Sequence, residues 1–182
     1  MNGHGPVVQL APAGARAVIV FAIGNSGQEL ILHDRVLDHF KRHRQLNSKS
    51  AEAGGQLFAR FDGYQIHVVE ATGPHREDKR GRFSFLPNRN KEQHDIDDFY
   101  RNGLTFIGDW HTHPQDTPVP SITDIASVAD CFRKSQHNLH AFALIVVGRR
   151  EAPEGLNVSL HNGTEMWTLQ AAEVDDRYSS IG

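Results

Sequence analysis

Apolar residues along this chain fall into short runs separated by turn-forming clusters. Residues 17–23 are apolar and β-branched, and Gly24-Asn25-Ser26-Gly27 follows as a turn. A first strand is expected there, with residues 29–32 returning as a second. Val36, Leu37 and Phe40 recur at helical spacing behind Asp34, which stands where an N-cap belongs, so the pattern predicts a helix over about 35–46. Residues 56–61 and 64–71 read as two strands joined by the hairpin signal Asp62-Gly63. Residues 74–82, PHREDKRGR, read as a charged loop, and 83–86 as a short strand. Residues 91–101 read as a helix with Ile96, Phe99 and Tyr100 on its apolar face, and 104–110 as a further strand. After a loop at 114–120, Ser121 can cap a helix over 122–136 that turns Ile125, Val128, Ala129 and Phe132 inward. Residues 142–147 make a buried strand, and 156–160 with 166–169 a last hairpin across Asn162-Gly163. Strands alternating with about three helices predict a mixed α/β fold class with a central, largely antiparallel, curved sheet.

Composition narrows this picture. The 182 residues show no repeat and no boundary, so 1–182 is expected to form a single domain, with 1–15 a flexible arm and 171–182 a frayed tail. A formal net charge of −3 gives no general argument for nucleic acid or membrane surfaces. No apolar stretch is long enough to span a bilayer, and the N-terminus lacks a signal-peptide layout. The lone cysteine, Cys131, excludes an intramolecular disulfide and fits a reducing, cytoplasmic setting. It is expected as a small residue packed on its helix. Of the 12 histidines, His33, His39, His43 and His137 are expected on solvated faces.

Two histidines stand apart. Gly108-Asp109-Trp110-His111-Thr112-His113-Pro114 is followed, six residues on, by Ser121-Ile122-Thr123-Asp124. Residues two apart on a strand share a face, so His111 and His113 can converge while Trp110 and Thr112 point the other way. Pro114 stops the strand, which puts the histidines at an edge of the sheet. Asp124, one turn into the next helix, faces back toward them. Two imidazoles and one carboxylate suit Zn²⁺ and leave a fourth position open for water, as in catalytic sites. Zinc lowers the pKa of such a water to about 7. A neighbouring base is then needed to move its proton, and a donor such as Ser121 to meet the developing oxyanion.

The layout H-x-H-P-x6-S-x-x-D resembles the JAMM (MPN/JAB) metalloprotease family. Ala51-Glu52-Ala53-Gly54-Gly55-Gln56-Leu57 occupies the family's glutamate segment in the right order, between the first helix and the His-x-His strand. The resemblance implies the cytidine-deaminase-like JAMM fold, Glu52 as general acid/base, His111, His113 and Asp124 as zinc ligands, and Ser121 as oxyanion donor. It implies cleavage of the isopeptide or peptide bond after a ubiquitin-like modifier or conjugated protein tail. The compact GDWHTHP…PSITD form looks most like prokaryotic deconjugases of antiphage, including CBASS-type, operons. Partners implied there are E1/E2-like enzymes or a nucleotidyltransferase, and neither membrane nor nucleic acid.

Other readings are open at this point. Ser121-x-x-Asp124 is also a capping arrangement, and both roles can coexist. Glu70, at a strand end, competes with Glu52 as base. Asp109 shares the histidine face and could support a liganding histidine, or be an ordinary polar residue. Asp116 is a further carboxylate nearby. Gly54-Gly55 could admit an extended substrate tail or simply bend a strand. The 74–82 loop could touch the modifier or be solvated. A RadC-like protein of DNA metabolism shares a similar histidine segment, but the chain has no room for its added helical region. A metal-retaining binding scaffold is the third alternative.

Overall fold

Gly63, at φ 55°, takes the left-handed conformation that the tight turn after Asp62 requires, and the strands on either side zip together from it. The computed structural model describes residues 18–172. In chain order the elements are β1 (Val18–Ile23), β2 (Gln28–His33), α1 (Asp34–His43), β3 (Gly54–Asp62), β4 (Gln65–Ala71), β5 (Lys79–Gly81), β6 (Ser84–Leu86), α2 (Arg89–Arg101), β7 (Thr105–Thr112), α3 (Ile122–Lys134), β8 (Phe142–Val147), β9 (Leu156–His161) and β10 (Met166–Leu169). Eight strands form one sheet in the order β1-β2-β4-β3-β7-β8-β9-β10, and β5 and β6 form a separate hairpin. The β2–β4 and β7–β8 pairs are parallel and the other five pairs of the large sheet antiparallel. Phe21 bridges Ala171 just beyond β10, so the sheet curls until its two outer strands meet.

That curl creates two packed faces. Inside it, Val36 and Phe40 of α1 bury against Leu30, Leu32, Leu57, Val68, Trp110 and Ile145. On the other face, Val128 of α3 packs on Phe142, Leu144 and Val146 of β8. β8 is apolar throughout because both its sides are covered, the pattern expected of a strand with a parallel neighbour inside a sheet. The mixed, mainly antiparallel sheet with three helices matches the sequence expectation.

Several expectations shift. Asp34 is the first residue of α1 and His33 its N-cap, with no side-chain cap bond, because the strand β2 runs directly into the helix. Tyr100 is 74% exposed and leaves the apolar face of α2 to Ile96 and Phe99, whose ring stacks on Phe58 at 4.4 Å. The end of the charged loop, Lys79–Gly81, is a strand paired with Ser84–Leu86. The four histidines expected in solvent are half-buried. His39 and His43 pack on Trp110, His137 on Phe132 and Phe142, and His33 on His67. The arm at 1–15 and the tail beyond residue 172 lie outside the described residues. Among the described residues, no helix is long and apolar enough to cross a membrane.

Candidate metal centre

β7 delivers both histidines. It is a central strand, between β3 and β8, so His111 and His113 are not at a sheet edge. They sit at and just past its C-terminal end, where the strand stops at Thr112. Alternation does what the sequence implied: Trp110 and Thr112 are buried, Trp110 within the core around α1, while the imidazoles face α3.

The two Nε2 atoms stand 3.1 Å apart. Oδ2 of Asp124 lies 3.3 Å from His111 Nε2 and 3.4 Å from His113 Nε2. Four ligands about 2.05 Å from a tetrahedral zinc stand about 3.3 Å from one another. Three donors in a near-equilateral triangle of that size, two neutral nitrogens and an anionic oxygen, fit a zinc ion with one face open. The Glu52 carboxylate also comes within 4.8 Å of the ligand atoms of both histidines. Of the two carboxylates, Asp124 closes the triangle with one oxygen, which leaves Glu52 beside it.

The two carboxylates differ in their electrostatics. Burial would raise the Asp124 carboxyl, but hydrogen bonds from His111 and His113 hold it far below the usual carboxylate range. His113 is raised, first by its bond to Asp124. Glu52, only 7% exposed, is raised by burial, with His111 and His113 opposing.

Ser121 caps α3. Its Oγ accepts from the Asp124 amide at 3.2 Å, and its own amide donates to Asp124 Oδ2 at 2.6 Å. This capping box is what aims Asp124: the reciprocal bonds fix the oxygen that meets the histidines. The capping and metal readings therefore describe one geometry. Ser121 is exposed and lies beside the triangle through Asp124.

Glu52 sits in an irregular segment before β3 and is held from three sides. Its amide donates to Gly81 O at 2.7 Å, and its carbonyl accepts from Arg80 Nε at 2.7 Å. Next to it, the Ala53 amide donates to Thr112 Oγ1 at 2.9 Å, and the Thr112 amide returns to Ala53 O at 2.8 Å. Thr112 Oγ1 donates in turn to Gln45 Oε1 at 3.1 Å, and Gln45 Nε2 donates to Ser50 O and Arg82 O. Sequence reasoning missed Arg80, Gln45 and this use of Thr112. The available signal was that Thr112, between two histidines of the opposite face, had to place a hydroxyl in the interior.

The rival carboxylates fall elsewhere. Glu70 pairs with Arg35 at 2.9 Å, and Asp116 with Arg149 at 2.8 Å. Asp109 lies on the histidine face opposite Gln56, and burial pushes its carboxyl up to about 7. Cys131 is half-buried on α3, and burial raises its thiol to about 11. Gly55 has its reason inside the chain: a Cβ there would run into the Thr72 carbonyl. At Gly54 a Cβ would meet the Phe85 ring at 2.7 Å.

A family described as prokaryotic homologs of the JAB domain matches residues 33–161. A CD-NTase/cGAS isopeptidase from Escherichia coli (strain TW11681) is 29% identical over 108 residues, covering 58% of this chain and 69% of that protein. A probable metalloprotease, y4qB, from Sinorhizobium fredii (strain NBRC 101917 / NGR234) is 31% identical over 125 residues, covering 66% of this chain and 68% of that one. Among solved structures, protein DSY2949 from Desulfitobacterium hafniense superposes with a TM-score of 0.50 at 18% identity, over 74% of this chain and 84% of that one, a likeness of fold.

Proposed function

Since the chain belongs to the family of prokaryotic homologs of the JAB domain and is a JAMM-type hydrolase with isopeptidase and metalloprotease relatives, we propose that it is a zinc isopeptidase. It cuts the bond joining the C-terminal carbonyl of a ubiquitin-like modifier, or of a conjugated protein tail, to an amine. The observation that carries this reading is the triangle of His111, His113 and Asp124 donors at 3.1 to 3.4 Å with the Glu52 carboxylate beside it.

In this reading His111, His113 and Asp124 hold the metal, which when bound supplies Lewis acidity toward water and the scissile carbonyl. Glu52 takes the proton of the attacking water and hands it to the leaving amine. Burial raises the Glu52 carboxyl, which favours its holding a proton between those two transfers. Ser121 Oγ donates to the oxyanion that develops on the carbonyl; one such donor is worth about 2.7–4 kcal/mol in acyl transfer. The capping bond leaves the hydroxyl proton available, because Oγ is the acceptor in it.

The proposal takes 1–182 as one domain working in the cytoplasm, in antiphage defence, with a conjugated nucleotidyltransferase or ubiquitin-like modifier as partner. Relatives named CD-NTase/cGAS isopeptidase support that choice of substrate class. The test is Glu52→Gln with a modifier–lysine conjugate as substrate. Cleavage should disappear while zinc content and melting temperature stay at wild-type values. A variant that still cleaves at an undiminished rate would overturn the assignment.

A further inference from the structure

The segment that carries Glu52 has no regular secondary structure of its own, yet the amide and carbonyl of both Glu52 and Ala53 are hydrogen-bonded. Both polar backbone groups of Glu52 bond to one outside element, the strand β5. The amide donates to Gly81 O at 2.7 Å, and the carbonyl accepts from Arg80 Nε at 2.7 Å. A second nitrogen of the same guanidinium donates to Ala51 O at 3.3 Å. One planar fork thus spans two successive carbonyls and fixes the peptide plane that leads into Glu52. The β5–β6 hairpin has two further ties to the site. Arg82 O accepts from Gln45 Nε2 at 2.9 Å, and the Phe85 ring lies against Gly54, the residue paired with His111.

The asymmetry of these ties is informative. Ala53 is held by Thr112, which belongs to the metal-bearing strand itself, so that side of Glu52 moves with the histidines. The other side is held by a hairpin outside the main sheet. A carboxylate that must meet both water and leaving amine needs its Cα fixed on both sides, because a displacement of about 1 Å can cost on the order of 100-fold in rate.

Resting on the reading of Glu52 as general base, we infer that Arg80 is a positioning residue for it: the Arg80 fork, with Gly81 O, sets the Glu52 backbone against the metal triangle. The β5–β6 hairpin is therefore part of the catalytic geometry and not only a surface beside it. Loss of the fork leaves the histidines and Asp124 where they are, and leaves the Ala51–Glu52 backbone tied to the hairpin by the single bond from the Glu52 amide to Gly81 O. The consequence falls on turnover, while metal and substrate binding are retained.

The test compares wild type, Arg80→Met and Arg80→Lys by three readouts: amide hydrogen exchange at Glu52, zinc content, and kcat and KM on a modifier–lysine conjugate. Arg80 is an exposed residue, and the lysine variant keeps the charge and most of the length while it can reach one carbonyl only. The expected result for Arg80→Met is faster exchange of the Glu52 amide by about 10-fold or more, unchanged zinc, a KM within about 2-fold, and kcat lowered by roughly 10- to 100-fold. Arg80→Lys should recover part of that loss. Unchanged exchange at Glu52 in Arg80→Met overturns the inference, and so does faster exchange with an unchanged kcat, or a loss carried wholly by KM. The exchange readout needs no turnover, so a wild-type protein that cleaves no conjugate refutes the proposed function while the Arg80 latch is still decided.

Discussion

Thr112→Val removes one oxygen from a position with no solvent exposure and keeps the shape of the side chain. Two partners are left behind. The Ala53 amide loses its acceptor at 2.9 Å, and Gln45 Oε1 loses its donor at 3.1 Å. Gln45 is itself 1% exposed, so water cannot take either place without opening the core. An unsatisfied buried group costs about 1–3 kcal/mol, so the pair together should cost about 3 kcal/mol, allowing for partial relaxation. For a domain of this size each kcal/mol lowers the melting temperature by about 2–4 °C, which predicts a drop of roughly 6–12 °C. Thr112→Ser is the control: it keeps the oxygen, gives up one methyl group and should cost about 0.8 kcal/mol. Thermal unfolding followed by circular dichroism measures both. Cleavage measured well below the melting temperature should fall with Thr112→Val more than with Thr112→Ser, because the amide that is freed belongs to the residue after Glu52. A valine variant that melts within a degree of the serine variant would show that the hydroxyl network carries no weight, and the account of how Glu52 is held would fail with it.

Asp124→Asn should keep the α3 cap, because an amide oxygen can still accept from the Ser121 amide, but it removes the anionic donor. Zinc content measured by plasma emission should fall well below one per chain, and added zinc should raise the melting temperature of wild type but not of the variant. Gly55→Ala forces a Cβ into the Thr72 carbonyl and should cost about 3 kcal/mol in urea unfolding; a neutral result would mean that β3 shifts freely there. His43 is held near 4, below its ordinary value, chiefly by burial and then by the charges of His39, Arg80 and Arg42. A depressed histidine favours the neutral form in the fold, so its contribution is intact above about pH 6.5 and is lost as pH falls toward 4. The urea midpoint should decline over that window, and His43→Gln should flatten the decline.

The sequence was most legible where one residue type had one physical use. The apolar run of β8, the Asp62-Gly63 hairpin and the capped start of α3 were readable because burial on two faces, a tight reversal and an orphaned amide each favour few residues. It was least legible where a side chain's role depends on what the fold brings opposite it. The histidines of α1 look like surface residues until Trp110 of β7 is packed against both His39 and His43. Lys79 to Gly81 look like loop because three charged or flexible residues have no strand pattern; their partner, Ser84 to Leu86, and the Glu52 backbone make them a strand. The histidines' central position was missed for a similar reason. A proline after His113 ends the strand but says nothing of which neighbours the strand has, and only the β3–β7–β8 order supplies that.

That order also explains why the site is assembled from so few elements. On β7, alternate residues serve two tasks that have to agree in register. His111 faces His113 and Asp124 in the proposed metal site, Trp110 fills the core against α1, and Thr112 grips the segment bearing Glu52. A one-residue slip of β7 would turn the histidines into the core and the tryptophan out to α3. The buried contacts of Trp110 and the closed hydrogen bonds of Thr112 oppose that slip. A packed interior and the placement of the proposed base therefore depend on the same strand, through Trp110 and Thr112 on one of its faces and His111 on the other.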